Sequence, residues 1–273
     1  MDILSLLPPE IAEQIGTQLG ESNPSSSTDP MEYERRMVEI CNSEPGNLED
    51  GIDCPICLNR GYSLVLDKNG NRAARECSCM KQRRSLRYLE QSGLSKVLGI
   101  YTFEAWEAKE PWQEHFLEAA KSYAENPQGW FVAAGRPGTG KTHLCTAICG
   151  ELLQKGKEVR YLLWRDFVTQ AKSAVTESEE YRELMEPYKR VPVLYLDDLF
   201  KTGKGQTPTD GDCNVAFELL NSRYADPEKL TIISSELTMG TLLDVDEAIG
   251  SRIYERSKGH YVELAGKKNW RLK

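Results

Sequence analysis

The sequence predicts an α/β protein built on a parallel sheet flanked by helices and preceded by a small cysteine-bound module. Three observations carry that prediction. From about residue 99 onward, strand-like apolar runs alternate with helical stretches, the alternation that crossover connections in a parallel sheet impose. One of those runs leads straight into a glycine-rich segment, GRPGTGKT (135–142), and then into a helix. Upstream stand four cysteines, spaced C-x-x-C and C-x-C with nineteen residues between the pairs, in a segment too short to bury a core of its own.

The 273 residues allow one large domain or two smaller ones. A content of 40% hydrophobic and 28% charged residues suits a soluble globular chain. The apolar runs are too short to span a bilayer. The first residues, MDILSLLPPE, place an acid where a signal peptide wants lysine or arginine. A cytoplasmic location is therefore expected, and structural disulfides are disfavoured there. The eight cysteines need another explanation. The net charge of −8 is unevenly spread: residues 1–50 hold eleven acids and two bases, residues 51–100 four acids and nine bases. Any contact with nucleic acid is then a local one.

Residues 1–50 read as an acidic, partly flexible segment. Ile11, Ile15 and Leu19 recur every four residues after Pro8 and Pro9, the pattern of a short helix within residues 3–19. GESNPSSSTDP (20–30) has linker composition, and MEYERRMVEICNSE suggests a second short helix. The segment is either a tail or a helix that docks a partner. Residues 51–80 form the cysteine module, with Cys54, Cys57, Cys77 and Cys79. Between the pairs, LVLDKNGNRAA reads as a β-hairpin turning at Asn69-Gly70, which brings both pairs to one end. Four thiolates there make a closed tetrahedral Zn²⁺ site, with free thiols or a redox disulfide as the alternatives. Residues 81–98 read as a basic linker helix ending near Gly93. Arg60, Arg72, Arg75, Lys81, Arg83, Arg84 and Arg87 gather in this region, either as solvated charges or as a contact for nucleic acid or an acidic partner. Residues 99–273 carry the predicted strands GWFVAAG, EVRYLL, VPVLYL, KLTIISS and HYVEL.

GRPGTGKT fits G-x-x-x-x-G-K-[ST] at every fixed position, and its strand–loop–helix setting supports a phosphate cradle. Gly135, Gly138 and Gly140 let backbone N–H groups turn inward around phosphate oxygens. The following helix adds its positive end. Lys141 suits the β- and γ-phosphates of ATP, and Thr142 suits Mg²⁺. The nucleotide-contacting stretch is taken as Gly135 to His143, including Arg136, Pro137 and Thr139. Cys145 and Cys149 on the helix read as small buried hydrophobes rather than a metal pair. VLYLDD (193–198) predicts a buried strand ending beside the phosphate-loop strand. Asp197 then suits Mg²⁺ and Asp198 the attacking water, unless the pair merely caps a strand end. TIISSEL (231–237) ends another strand, where Ser234, Ser235 or Glu236 is a candidate for the γ-phosphate, with Ser235 taken into the nucleotide site. Arg252 and Arg256 lie four apart on a predicted helix, as surface charges or with Arg252 as an arginine finger for a neighbouring subunit. Arg271 is either a nucleotide sensor or part of a basic tail.

Taken together, GRPGTGKTHLCTAI, VLYLDDLF, TIISSEL and IGSRIYER resemble the AAA+ helicase loaders of the DnaC/DnaI kind, especially DnaC-like proteins of Gram-positive bacteria and their phages. The likeness covers about residues 80–273, and the cysteine module resembles the zinc-binding N-terminal region of the same group. The resemblance implies an AAA+ P-loop NTPase core without a C-terminal lid, and the 21 residues after Arg252 are too few to form one. It implies an ATPase that uses Lys141, Asp198 and a neighbour's Arg252, and self-assembly into a spiral with ATP at each interface. It implies an N-terminal grip on the hexameric replicative helicase, with single-stranded DNA at the centre of the spiral. Lys201 and Lys204 of the KTGKG loop are then placed to hold the DNA backbone. Loaders often carry asparagine where this chain has Glu236, which leaves the γ-phosphate sensor open. The function implied is ATP-dependent loading of the replicative helicase onto single-stranded DNA during replication initiation. A transposition accessory ATPase of the IstB kind, a small-molecule P-loop kinase and a non-hydrolysing adaptor are the competing readings.

Overall fold

A computed structural model describes residues 30–91, 95–203, 205–264 and 269. The expected helix within residues 3–19, Lys204 and Arg271 lie outside the described residues. By internal contacts the chain divides into two units, one ending at Cys77 and the other beginning at Ser78.

The first unit holds helix α1 (Pro30–Ser43) and an antiparallel hairpin of β1 (Tyr62–Leu66) and β2 (Arg72–Glu76). The hairpin turns where its sequence predicts. Asp67 accepts hydrogen bonds from the backbone N–H groups of Asn69 and Asn71, and Gly70 takes φ +82°. Asn42 of α1 acts as a strand neighbour: its side chain donates to the Leu64 carbonyl and accepts from the Leu64 N–H, each at 2.9 Å. The Arg60 guanidinium donates to the Cys41 carbonyl and to Asn42 Oδ1, and Arg72 pairs with Glu34 at 2.8 Å. Two members of the expected basic cluster are thus tied to partners within the unit, Arg60 half-buried and Arg72 exposed.

The second unit begins with α2 (Cys79–Gln91), α3 (Ser95–Leu98) and α4 (Pro111–Glu125). It continues through β3 (Trp130–Gly135), α5 (Lys141–Gln154), β4 (Val159–Leu163), α6 (Trp164–Ala174) and α7 (Ser178–Arg190). Then follow β5 (Val193–Leu199), α8 (Asp210–Tyr224), β6 (Leu230–Ser235), α9 (Met239–Val245), α10 (Glu247–Arg256) and β7 (Tyr261–Leu264). All five predicted runs form strands, joined in a parallel sheet of order β4-β5-β6-β3-β7. One expected adjacency is corrected: the strand ending in Asp197 and Asp198 does not lie beside the phosphate-loop strand, because β6 stands between them.

Strands covered on both faces read as unbroken apolar runs, and β3 and β6 are buried at every position. Alternate residues feed two cores. Phe131, Ala133 and Tyr195 pack with α4 and α5; Trp130, Val132, Leu194 and Leu196 pack with α6, α8 and α10. Cys145 and Cys149 are fully buried in the first of these cores, where burial pushes both thiols well up and keeps them as neutral small side chains. Arg83 of α2 is also buried, so it too is not a free surface charge. No helix among the described residues is long and apolar enough to cross a membrane.

At the carboxyl end of β5 the ladder slips. Leu196 faces Ile233 but Leu199 faces Ser235, so three steps of β5 span two of β6. The extra residue makes a bulge, and Asp198 there adopts φ +56°.

Arg223 of α8 fastens the opposite ends of these strands. It is fully buried and donates to the carbonyls of Tyr188, Val191 and Leu230 and to the Thr231 hydroxyl. Arg223→Ala leaves several buried carbonyls without donors. The expected outcome is a loss of about 3 kcal/mol or more of stability, read as a lowered urea midpoint.

Candidate functional site

The phosphate loop joins β3 to α5. Gly138 and Gly140 take φ +76° and +87°, conformations open to glycine but strained for other residues. Space also requires glycine at position 140, since a Cβ would come within 2.4 Å of the Trp106 ring. Lys141 opens α5 and donates through Nζ to the carbonyls of Gly135 and Arg136 at 2.7 and 2.9 Å. Burial lowers its pKa, while the charges of Asp198 and Glu236 pull it back up.

Asp197 and Asp198 part company at the bulge. Asp197 stays buried, with Oδ1 accepting from Tyr195 OH at 2.8 Å and from Ser234 Oγ, and Oδ2 accepting from Tyr161 OH at 3.1 Å. Thr142 Oγ1 lies 3.5 Å from Oδ1. Burial raises the Asp197 pKa, and the three hydroxyls oppose that shift by stabilising the carboxylate. Asp198, turned outward by its positive φ, reaches the open cleft, and its N–H donates to Ser234 Oγ at 2.9 Å. In a regular strand, adjacent side chains face opposite sides; the bulge is what lets both carboxylates serve one end of the sheet. Hard oxygen donors on Asp197 and Thr142 fit Mg²⁺.

The cleft has a volume of about 310 Å³ and is lined by Pro137 through His143 together with Asp198, Lys201 and Glu236. Its remaining wall comes from Tyr101, Trp106, Glu107, Lys109 and Gln113, which sequence reasoning left unassigned. His143 stacks on Tyr101 with centroids 4.9 Å apart and meets the Trp106 ring edge-on at 5.2 Å. Its Nε2 hydrogen-bonds the Thr102 carbonyl at 2.9 Å. The buried Gln113 side chain accepts from the N–H groups of Lys109 and Glu110, holding this wall in place. The aromatic residues upstream of the strand were the available signal, since a flat apolar surface suits a planar base.

Two expected positions move, those of Ser235 and Lys201. Ser235 is fully buried and donates to the Leu199 carbonyl at 2.9 Å, away from the cleft; the residue that reaches it from β6 is the following Glu236. Lys201, expected on a DNA-facing loop, points into the cleft, where Nζ lies 2.8 Å from Asp198 and 2.9 Å from Glu236. Arg252 does not line its own chain's cleft. It donates to Asn221 Oδ1 at 3.0 Å and to the Ala248 carbonyl at 2.7 Å, with its guanidinium over Phe217 and Tyr224. Arg256 caps the carbonyls of Pro227 and Asp226.

In the cysteine module, Leu58 and Asn59 take positive φ immediately after Cys57 and bend the chain into a knuckle. Asn59 Oδ1 accepts from the Cys54 N–H, and Cys57 Sγ accepts from the Gly61 N–H at 3.3 Å. The thiols of Cys54, Cys57, Cys77 and Cys79 are all buried, none is in a disulfide, and their sulfurs lie within 4.8 Å of one another. Four convergent soft donors fit a tetrahedral Zn²⁺.

A profile of the family described as IstB-like ATP binding protein matches residues 65–273. The PBSX phage-like element protein XkdC of Bacillus subtilis is 33% identical over 78% of this chain and 83% of its own length. The uncharacterised protein YqaM of Bacillus subtilis is 30% identical over 71% of this chain, which spans 64% of YqaM's length. The replicative helicase loader DnaC of Escherichia coli K12 is 26% identical over 67% of this chain and 72% of its own. The crystal structure of the DnaC helicase loader matches 62% of this chain and 98% of that one with a TM-score of 0.52 at 20% identity, a likeness of fold.

Elemental analysis of the purified protein is expected to find about one zinc per chain. Replacing Cys57 and Cys77 together with serine is expected to abolish it. Chelation is expected to unfold the hairpin unit, followed by loss of its amide protection from exchange.

Proposed function

The chain belongs to the IstB-like ATP-binding protein family, alongside the DnaC-like AAA+ loaders, and from that premise we propose that it hydrolyses ATP to load a replicative helicase onto single-stranded DNA at the start of replication. The observation that carries the hydrolytic reading is the division of labour between the two aspartates. A shielded Asp197 faces Thr142, and an accessible Asp198 shares the cleft with the phosphate loop.

In this reading the backbone from Gly135 to Thr142 cradles the phosphates, Lys141 binds the β- and γ-phosphates, and the Tyr101–Trp106–His143 wall packs the base. Thr142 and Asp197 would hold Mg²⁺, which when bound would supply charge neutralisation at the phosphate oxygens. Asp198 orients a water and accepts its proton as oxygen attacks the γ-phosphorus; the bond to the β-phosphate oxygen breaks and ADP leaves. Arg252, absent from its own cleft and steadied by two aromatic rings, serves the nucleotide of an adjacent protomer, so that ATP joins copies of the chain. Residues 1–50 and the zinc module at 51–80 grip the helicase, residues 81–98 link, and residues 99–273 are the motor acting in the cytoplasm. The E. coli relative DnaC is a replicative helicase loader, which supports the partner. A second reading takes its start from the family description, IstB-like ATP binding protein: a transposition accessory ATPase of the IstB kind, acting on duplex DNA.

Two measurements test this. Lys141→Ala is expected to lose ATP binding, whereas Asp198→Asn keeps binding and lowers turnover about a hundredfold or more. ATP-dependent co-purification with the host's replicative helicase is expected. Retention of a transposase on duplex DNA, with no helicase, would establish the second reading instead.

A further inference from the structure

Lys201 is not part of the phosphate loop, yet its ammonium lies in the same cleft as Gly138–Thr142, bridging Asp198 at 2.8 Å and Glu236 at 2.9 Å. The chain is bent to put it there. Asp198 and Phe200 both adopt left-handed conformations, φ +56° and +60°, and the Lys201 N–H closes the turn on the Asp198 carbonyl at 3.0 Å. Non-glycine residues rarely take that geometry without something holding them. Here Phe200 is buried edge-on against Trp164 and anchors the turn, while Lys201 folds back over Asp198.

The charges define a problem that this lysine solves. Glu236 presents a carboxylate at the mouth of the cleft, and Asp198 presents another. A triphosphate entering the cradle would bring its γ-phosphate toward two like charges, which is unfavourable in a partly enclosed site. Lys141, Asp198, Glu236 and Lys201 line the same cleft. Lys201 is a cation already shared between the two carboxylates.

We propose that Lys201 is a second phosphate-binding lysine that recognises the γ-phosphate: it is held by Asp198 and Glu236 before ATP enters and is handed to the γ-phosphate on binding. This rests on reading the cleft as an ATP site. The transfer does two things. It neutralises the incoming phosphate beside Glu236, and it releases the Asp198 oxygen that Lys201 occupies, freeing that carboxylate to accept a proton from water. ADP has no γ-phosphate, so with ADP bound Lys201 stays on the carboxylates. The lysine thereby distinguishes the two nucleotides within one chain, independently of any neighbour's arginine.

The test is the ratio of affinities for a non-hydrolysable ATP analogue and for ADP, measured by calorimetry on wild type, Lys201→Ala, Lys201→Arg and the double variant Lys201→Ala with Glu236→Gln. Lys201→Ala is expected to weaken the analogue about ten- to a hundredfold while leaving ADP affinity near wild type, which also certifies folding. Lys201→Arg should keep most of the discrimination. Removing the Glu236 charge in the double variant should recover part of the lost affinity. An unchanged ratio in Lys201→Ala, or an equal loss for both nucleotides, overturns the inference. Wild-type protein that binds neither nucleotide overturns the reading of the cleft as an ATP site and the inference with it.

Discussion

Keeping a carboxylate charged where water scarcely reaches it is costly, and the second unit is organised around doing so at Asp197. Only 4% of this residue is exposed. An isolated buried anion would shed its charge by taking a proton. Hydroxyls from three strands oppose this: Tyr161 from β4, Tyr195 from β5 itself and Ser234 from β6. Thr142 arrives from the helix that follows the phosphate loop. The order of the sheet, the lengths of β4, β5 and β6, and the position of α5 must all be right for one carboxylate to meet all of these hydroxyls. Tyr161 and Tyr195 have their pKa values driven up by burial and by that same carboxylate, so they remain neutral donors.

The cleft in front of Asp197 is electrostatically mixed. Lys141 and Lys201 face Asp198 and Glu236, while Lys109 and Glu107 pair with each other on another wall. Burial lowers the Lys201 pKa, but hydrogen bonds and charge from its two partners win, leaving it raised and firmly protonated. Lys141 is satisfied by loop carbonyls. Each cation therefore has a partner within the protein itself, so neither charge is stranded.

Much of this was legible in the chain. The five strands, the phosphate loop and the hairpin between the cysteine pairs are encoded by neighbours in sequence: runs of apolar residues, glycines at fixed offsets and an Asn-Gly turn. What escaped depends on distant segments meeting. Nothing near Tyr161 announces that its hydroxyl serves Asp197, and the order of strands placing β6 between β3 and β5 is a tertiary outcome. Lys201 looked like a loop cation because its sequence neighbours are glycine and lysine; the backbone reversal at Asp198 and Phe200 turned it inward. Ser235 and Glu236 were indistinguishable as candidates until the ladder fixed which of them stopped inside the sheet. Arg60, Arg72 and Arg83 counted as a basic cluster in one dimension, and each has its own structural occupation in three.

The single inserted residue in β5 also separates two kinds of robustness. Packing of β5 against β6 up to Leu196 and Ile233 is ordinary core, tolerant of changes that conserve volume. Beyond that pair the chain carries positional information: which aspartate faces inward depends on where the extra step falls. A variant whose sheet regained perfect pairing there would be no less foldable, and by the usual measures could be sturdier. It would also have rotated one of its two acids away from the carboxyl end it now shares with the other. Wear on this protein need not show as unfolding, because a well-folded but misregistered strand would rearrange the cleft first.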